Sequence, residues 1–323
     1  MSVWLPTAPC TPAACLEPAG PTVAAPRAVL RLAALAALVF TGTVLFPLGG
    51  RLPAGWVRCW CRAVVRAVGV RVRLTGSAPA EGGLLLVANH ISWLDVPLLA
   101  AVRPARMLAK SEIRRWPVAG RLAAGAGVLF IERDRLRALP DTVARIGAAL
   151  RAGGAVAVFP EGSTWCGRGR GHFRRAVFQA ALDAGVPVQP VRLSYRGAGG
   201  EVAAAAAFVG EDTLFASLWR VASARGLVAE VEVRPLIPPG RHQDRRTLAR
   251  AAMYRTVWVH TSRMGTRDTH ITTLRGACAH VHGNASGHVH RNPAGDHHPD
   301  RRGDRAGRAD RHGGLPDAEQ APP

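Results

Sequence analysis

Short runs of Val, Leu, Ile and Ala alternate with longer stretches of mixed polarity between about Val70 and Pro239. Seven of these runs predict strands: Val70–Leu74, Leu84–Ala88, Arg106–Ala109, Val128–Ile131, Ala155–Phe159, Val188–Leu193 and Val228–Val233. The stretches between them predict helices over Trp93–Val102, Pro140–Arg151 and Arg174–Ala184. Pro140 suits a first helical position, where its missing N–H costs nothing, and Gly153-Gly154 suits a stop. A last helix is expected from about Asp244 to Arg263. Strands alternating with helices in this way predict an α/β fold, with a mostly parallel sheet flanked by helices over residues 70–263.

The pattern differs at both ends. Residues 1–27 are rich in Pro, Ala and Thr and are expected to lack stable structure. From Leu32 to Gly50 no charged residue occurs, a length that just suffices to span a bilayer. Arg51, Arg58, Arg62, Arg66, Arg71 and Arg73 follow, with Trp56 and Trp60 among them, as in a helix lying at a lipid interface. Residues 28–69 are therefore expected to form membrane-associated helices at the cell membrane. The arginines place the following domain on the cytoplasmic side. A secretory signal is the rival reading, weakened by the long preceding segment and the lack of a small-residue cleavage site. Residues 264–323 are rich in His, Arg and Gly, hold eight of the twelve histidines and have almost no apolar periodicity, so a disordered tail is expected there.

Charge and cysteine content refine this picture. The formal net charge is +20, Lys110 is the only lysine, and the excess lies almost wholly in residues 1–260. Such a surface attracts phosphate, on lipid head groups or on nucleic acid. Nucleic acid is not the expected partner, because aromatic residues are only 6%, no zinc-finger or RNP pattern occurs, and the arginines gather around an apolar segment. The six cysteines (Cys10, Cys15, Cys59, Cys61, Cys166 and Cys278) show no paired C-x-x-C spacing. That argues against a zinc site and against a disulfide framework, so no metal is expected.

Asn89-His90-Ile91-Ser92-Trp93-Leu94-Asp95 follows the apolar run Leu84–Ala88 and opens a helix, the place where α/β folds put their chemistry. An imidazole can take a proton from an alcohol when a carboxylate fixes its tautomer and stabilises the imidazolium. With His90 in the turn and Asp95 in the first helical turn, the two side chains can meet. Ser92-x-x-Asp95 is equally a variant of the capping box, in which Asp95 need only satisfy the helix start. The same His-to-Asp spacing recurs at His312 and Asp317, so the pair alone is a weak signal.

Three further apolar runs end in polar or turn residues. Gly127–Arg133 closes on Glu132-Arg133, Phe159-Pro160-Glu161-Gly162-Ser163-Thr164 follows the next run, and Val186-Pro187-Val188-Gln189-Pro190-Val191 comes last. The segments NHISWLD, GVLFIER, FPEGS and VPVQPV resemble, in order and spacing, the four blocks of the glycerolipid acyltransferases typified by 1-acylglycerol-3-phosphate acyltransferase. The resemblance covers roughly residues 60–240. It implies a membrane-bound O-acyltransferase of phospholipid biosynthesis that needs no cofactor. The acyl chain would pass directly from acyl-CoA or acyl carrier protein to the hydroxyl of a lysophospholipid, 1-acylglycerol-3-phosphate giving phosphatidic acid. His90 is then the expected base and Asp95 its orienting partner. Lys110, Arg133, Glu161 and Gly162 are the expected substrate-binding residues.

One departure bears on the acceptor. The family's third block reads FPEGTRS, whereas here Thr164 stands at the arginine's place. Losing a bidentate phosphate donor is not a conservative change. Either Arg168, Arg170, Arg174 or Arg175 replaces it, or the acceptor is the lyso-ornithine lipid of a related branch. A basic nucleic-acid-binding protein is the reading from another class. A serine hydrolase is disfavoured, because no Gly-x-Ser-x-Gly occurs.

Overall fold

The computed structural model describes residues 8–16, 24–45, 53–115, 120, 127–132 and 135–256. Seven strands form one sheet: β1 (Arg71–Thr75), β2 (Leu84–Ala88), β3 (Arg106–Lys110), β4 (Leu129–Ile131), β5 (Ala155–Val158), β6 (Val188–Arg196) and β7 (Val228–Val233). Their order is β1-β7-β6-β2-β5-β3-β4. Every pairing is parallel except β6 with β7, where Val191 to Arg196 run against Val233 to Val228. The sheet is thus mixed but mostly parallel, as the alternation of elements predicts.

The helices are α1 (Pro12–Cys15), α2 (Ala25–Leu45), α3 (Ala54–Ala67), α4 (Asp95–Val102), α5 (Leu139–Arg151), α6 (Ala176–Ala184), α7 (Leu214–Ser223) and α8 (Arg245–Thr256). β2 is buried along its whole length, which explains its unbroken apolar run. Its side chains alternate between two cores. Leu84, Leu86 and Ala88 face a layer with Val65, Leu98, Leu99 and Val221, from α3, α4 and α7. Leu85 and Val87 face Ile146, Leu150, Phe178 and Ala252, from α5, α6 and α8. Each fully buried Leu contributes about 1.5–3 kcal/mol relative to exposure. This double cover makes the sheet a rigid platform for whatever lies at its strand ends.

Two features differ from the sequence reading. Residues 8–16, expected without stable structure, include the α1 turn, with Thr11 Oγ1 accepting from the Ala14 amide at 3.3 Å. Cys10 and Cys15 are buried there, and this contact with the core holds a segment whose composition gives no fold signal. Helix α7 is absent from the predicted elements. It is capped by Thr213, and Arg27 and Arg31 on α2 donate to the Ser223, Ala222 and Ala224 carbonyls at its end. Distant arginines thus complete a C-terminus that local sequence leaves open. The last helix is described as far as Thr256, and the expected tail lies outside the described residues.

Helices α2 and α3 pack together through Trp60, whose indole N–H donates to the Leu38 carbonyl at 3.3 Å and whose ring lies against Gly42. A Cβ on Gly42 would stand 2.5 Å from that ring, so a glycine is needed there. Along α2, Val29, Leu30, Phe40 and Val44 are exposed, as is Trp56 on α3. Helix α2 is long and apolar enough to cross a membrane.

Candidate active site

β2 lies between β5 and β6, and the chain leaves its carboxyl end into Asn89 and His90. Asn89 ties this exit to β6, donating to the Leu193 carbonyl and accepting from the Leu193 amide, both at 2.9 Å. The turn that follows directs His90 toward Asp95, with Nδ1 2.9 Å from Asp95 Oδ2. Asp95 is fully buried, and the His90 side chain retains 20% exposure. The imidazole stacks on Phe159, their centroids 3.9 Å apart and their planes 9° from parallel. A ring fixed through Nδ1 and one face leaves Nε2 as its other polar atom.

Asp95 holds this turn together. Its Oδ2 also accepts from the amides of Ile91 (2.6 Å) and Ser92 (2.8 Å), and Oδ1 accepts from the Tyr195 hydroxyl at 2.6 Å. Ser92 Oγ accepts in turn from the Leu94 amide. The capping arrangement and the pairing with His90 are therefore both present, and one carboxylate serves both. Burial, then the charge of Asp95, raises the Tyr195 hydroxyl well above 10, so it stays protonated and donates.

Glu161 comes from the turn after β5. It is buried, with Oε2 accepting from the His90 amide at 2.7 Å and Oε1 from the Gly171 amide at 3.0 Å. Both oxygens thus meet main chain, and Glu161 fixes the backbone on which His90 rides. Burial, reinforced by Asp95, raises its carboxyl to about 7 against the pull of the two amides and Arg170. Gly162 follows with φ 76°, a left-handed conformation that favours glycine, and its amide bonds to the Phe159 carbonyl at 3.1 Å. The Trp165 amide donates to the His90 carbonyl at 2.8 Å, and the Thr164 hydroxyl donates to the Phe208 carbonyl.

The structure therefore gathers His90, Asp95, Glu161 and Gly162 at the ends of β2 and β5. Lys110 ends β3, two strands from β2 and thus about 10 Å across the sheet. It is exposed. Arg133 lies outside the described residues. Next to Lys110, Ser111, Arg114, Glu132, Arg135 and Arg145 line a depression of about 370 Å³ over Phe130. The sequence reading missed Tyr195, Phe159, Asn89 and Gly171. Asn89 and Phe159 sit inside the recognised blocks and could have been weighed there. Nothing local marks Tyr195, one hundred residues from Asp95. Among the described residues, three thiols, Cys10, Cys15 and Cys166, lie with their sulfurs within 4.8 Å of one another. Sequence spacing hid this convergence, because the third comes from the loop after Glu161.

Comparisons with known proteins identify the family. The family model described as Acyltransferase matches residues 69–194. A lyso-ornithine lipid O-acyltransferase of Pseudomonas aeruginosa is 40% identical over 240 residues, covering 70% of this chain and 90% of the relative. A 1-acyl-sn-glycerol-3-phosphate acyltransferase of Neisseria meningitidis is 34% identical over 223 residues, covering 68% and 87%. The crystal structure of the 1-acyl-sn-glycerophosphate acyltransferase from Thermotoga maritima shares the fold, with TM-score 0.50 and 19% identity, covering 71% of this chain and 95% of that one. With the acyltransferase domain matched and relatives aligned over 90% and 87% of their length, this chain belongs to the glycerolipid acyltransferase family and is an O-acyltransferase of lysolipids.

Proposed function

We propose that His90 is the general base of direct acyl transfer, and that Asp95 orients it and stabilises the imidazolium. The observation that carries this reading is the 2.9 Å contact between His90 Nδ1 and the buried Asp95. His90 Nε2 takes the proton of the acceptor hydroxyl as its oxygen attacks the thioester carbonyl of acyl-CoA or acyl carrier protein. As the tetrahedral centre collapses, the C–S bond breaks and the thiolate leaves with the proton that His90 holds. No acyl-enzyme forms. Glu161 acts by holding the His90 main chain rather than by touching substrate. Lys110, Arg133 and the arginines that line the depression over Phe130 supply positive charge for an anionic head group or donor.

For the acceptor, the Thr164 hydroxyl bonds to the Phe208 carbonyl, so it does not stand in for an arginine on a phosphate. Together with the Pseudomonas aeruginosa relative, this favours a lyso-ornithine lipid. The second reading is 1-acylglycerol-3-phosphate, favoured by the Neisseria meningitidis relative and by Arg170, close enough to Glu161 to lower its pKa.

The exposed apolar side chains of α2 and Trp56 fit a membrane at the inner face of the cell envelope, with the domain on the cytoplasmic side. The test is transfer of a labelled acyl group by membranes from acyl-CoA and acyl carrier protein, with both acceptors offered side by side. His90→Ala should abolish transfer while the variant stays folded; undiminished transfer removes His90 from the mechanism.

A further inference from the structure

Cys10 precedes the α1 turn and Cys15 ends it, and both side chains are buried in the core. Cys166 enters from the loop after Glu161 and is fully buried. The three sulfurs lie within 4.8 Å of one another, with Ile91, Ala206, Ala207 and Val209 in the surrounding core. A buried cysteine by itself is a small apolar side chain. Three converging from two segments far apart in the chain offer a different chemistry. Around an ion with Zn–S bonds of about 2.3 Å, trigonal or tetrahedral geometry sets sulfurs about 3.8–4.0 Å apart. Thiols within 4.8 Å reach that spacing by movements of less than about 1 Å.

We propose that Cys10, Cys15 and Cys166 form a thiophilic metal site, with Zn2+ as its fitting ion. Thiolates favour Zn2+ and Cu(I) over hard cations, and three thiolates leave a net charge of −1 on Zn2+ against −2 on Cu(I), the smaller burden in a buried site. Each thiol gives up its proton as the S–Zn bond forms, so loading releases three protons to solvent, and no electron is transferred. Without the ion, the hydrogen bond with Cys166 and then burial raise the Cys10 thiol far above its ordinary value.

The site joins residues 10–15 to the loop of Trp165, whose amide holds the His90 carbonyl. It staples the N-terminal segment to the wall behind the imidazole. The N-terminal segment already lies close here: a Cβ on Gly210 would stand 3.1 Å from the Cys10 carbonyl.

The full chain, purified in detergent under reducing conditions, is loaded with Zn2+ alone, passed through a desalting column and assayed for bound metal. One equivalent per chain is expected in the wild type and in Cys59→Ser, whose cysteine is exposed. Less than a tenth should remain in Cys166→Ser and Cys10→Ser. Thiol labelling of the loaded wild type gives a second reading that does not depend on the folding of the variants. Three thiols should be protected until a strong chelator is added. Cadmium should give a thiolate charge-transfer band in the wild type that is missing in Cys166→Ser. Equal metal in wild type and Cys166→Ser, or labelling that the metal does not change, overturns the site. So does formation of a disulfide among the three with no metal retained under reducing conditions.

Discussion

Replacing Tyr195 by Phe isolates the contribution of a side chain that touches Asp95 but cannot reach the acceptor. The wild-type hydroxyl donates to Asp95 Oδ1 at 2.6 Å in a fully buried setting, and the other donors to this carboxylate bind Oδ2. Phe has nearly the same volume, so packing around Leu193 and Val191 is retained. The loss is that of a hydrogen bond to a charged group, about 1.5–3 kcal/mol of folding stability. A second effect reaches His90. A carboxylate with one donor fewer holds the imidazolium proton more tightly, so the acid limb of kcat/KM moves to higher pH. Less firm orientation of the ring lowers kcat about tenfold, or ~1.4 kcal/mol. Denaturant unfolding and a pH–rate profile on the same preparation check both parts. A drop in stability with an unmoved acid limb would make Tyr195 structural only. Wild-type stability and wild-type profile together would refute the reasoning that Asp95 depends on this donor.

Glu161→Gln should flatten the pH dependence of stability. The folded carboxyl sits at about 7 against an ordinary 4.5, so its contribution is complete below 4.5 and is lost as pH rises to 7. The slope is worth on the order of 3 kcal/mol, measured by unfolding at a series of pH values; an unchanged slope in the variant removes Glu161 as its source. Gly171→Ala places a Cβ 2.7 Å from the Trp165 ring nitrogen and 3.2 Å from Glu161 Cβ. It should cost about 1–3 kcal/mol by overpacking and lower kcat through the His90 main chain, with thermal unfolding and turnover as the two readouts. Thr164→Arg should raise transfer to lysophosphatidate relative to lyso-ornithine lipid several-fold, read in competition between the two acceptors. A ratio that stays put would detach position 164 from acceptor choice.

The sequence by itself determined the seven strands and most of the helices. A strand buried on both faces must be apolar throughout, and β2 and β5 are; that pattern survives any tertiary arrangement. It also determined the order of the blocks, and with it that His90 leaves a strand end and Asp95 opens a helix. Strand order lay beyond it, since parallel pairing joins residues far apart in the chain with no local mark. That order set Glu161 beneath His90 and left Lys110 two strands away. Tyr195 and Cys166 gain their meaning in the same way. Nothing near either residue distinguishes a hydroxyl that meets Asp95, or a thiol that meets Cys10 and Cys15, from ordinary core positions. Helix α7 shows the same limit: its end is capped by arginines about 190 residues earlier in the chain, an interaction that exists only after folding. Periodicity is a property of neighbours along the chain, whereas hydrogen bonding and convergence are properties of neighbours in space, and only the fold converts one into the other.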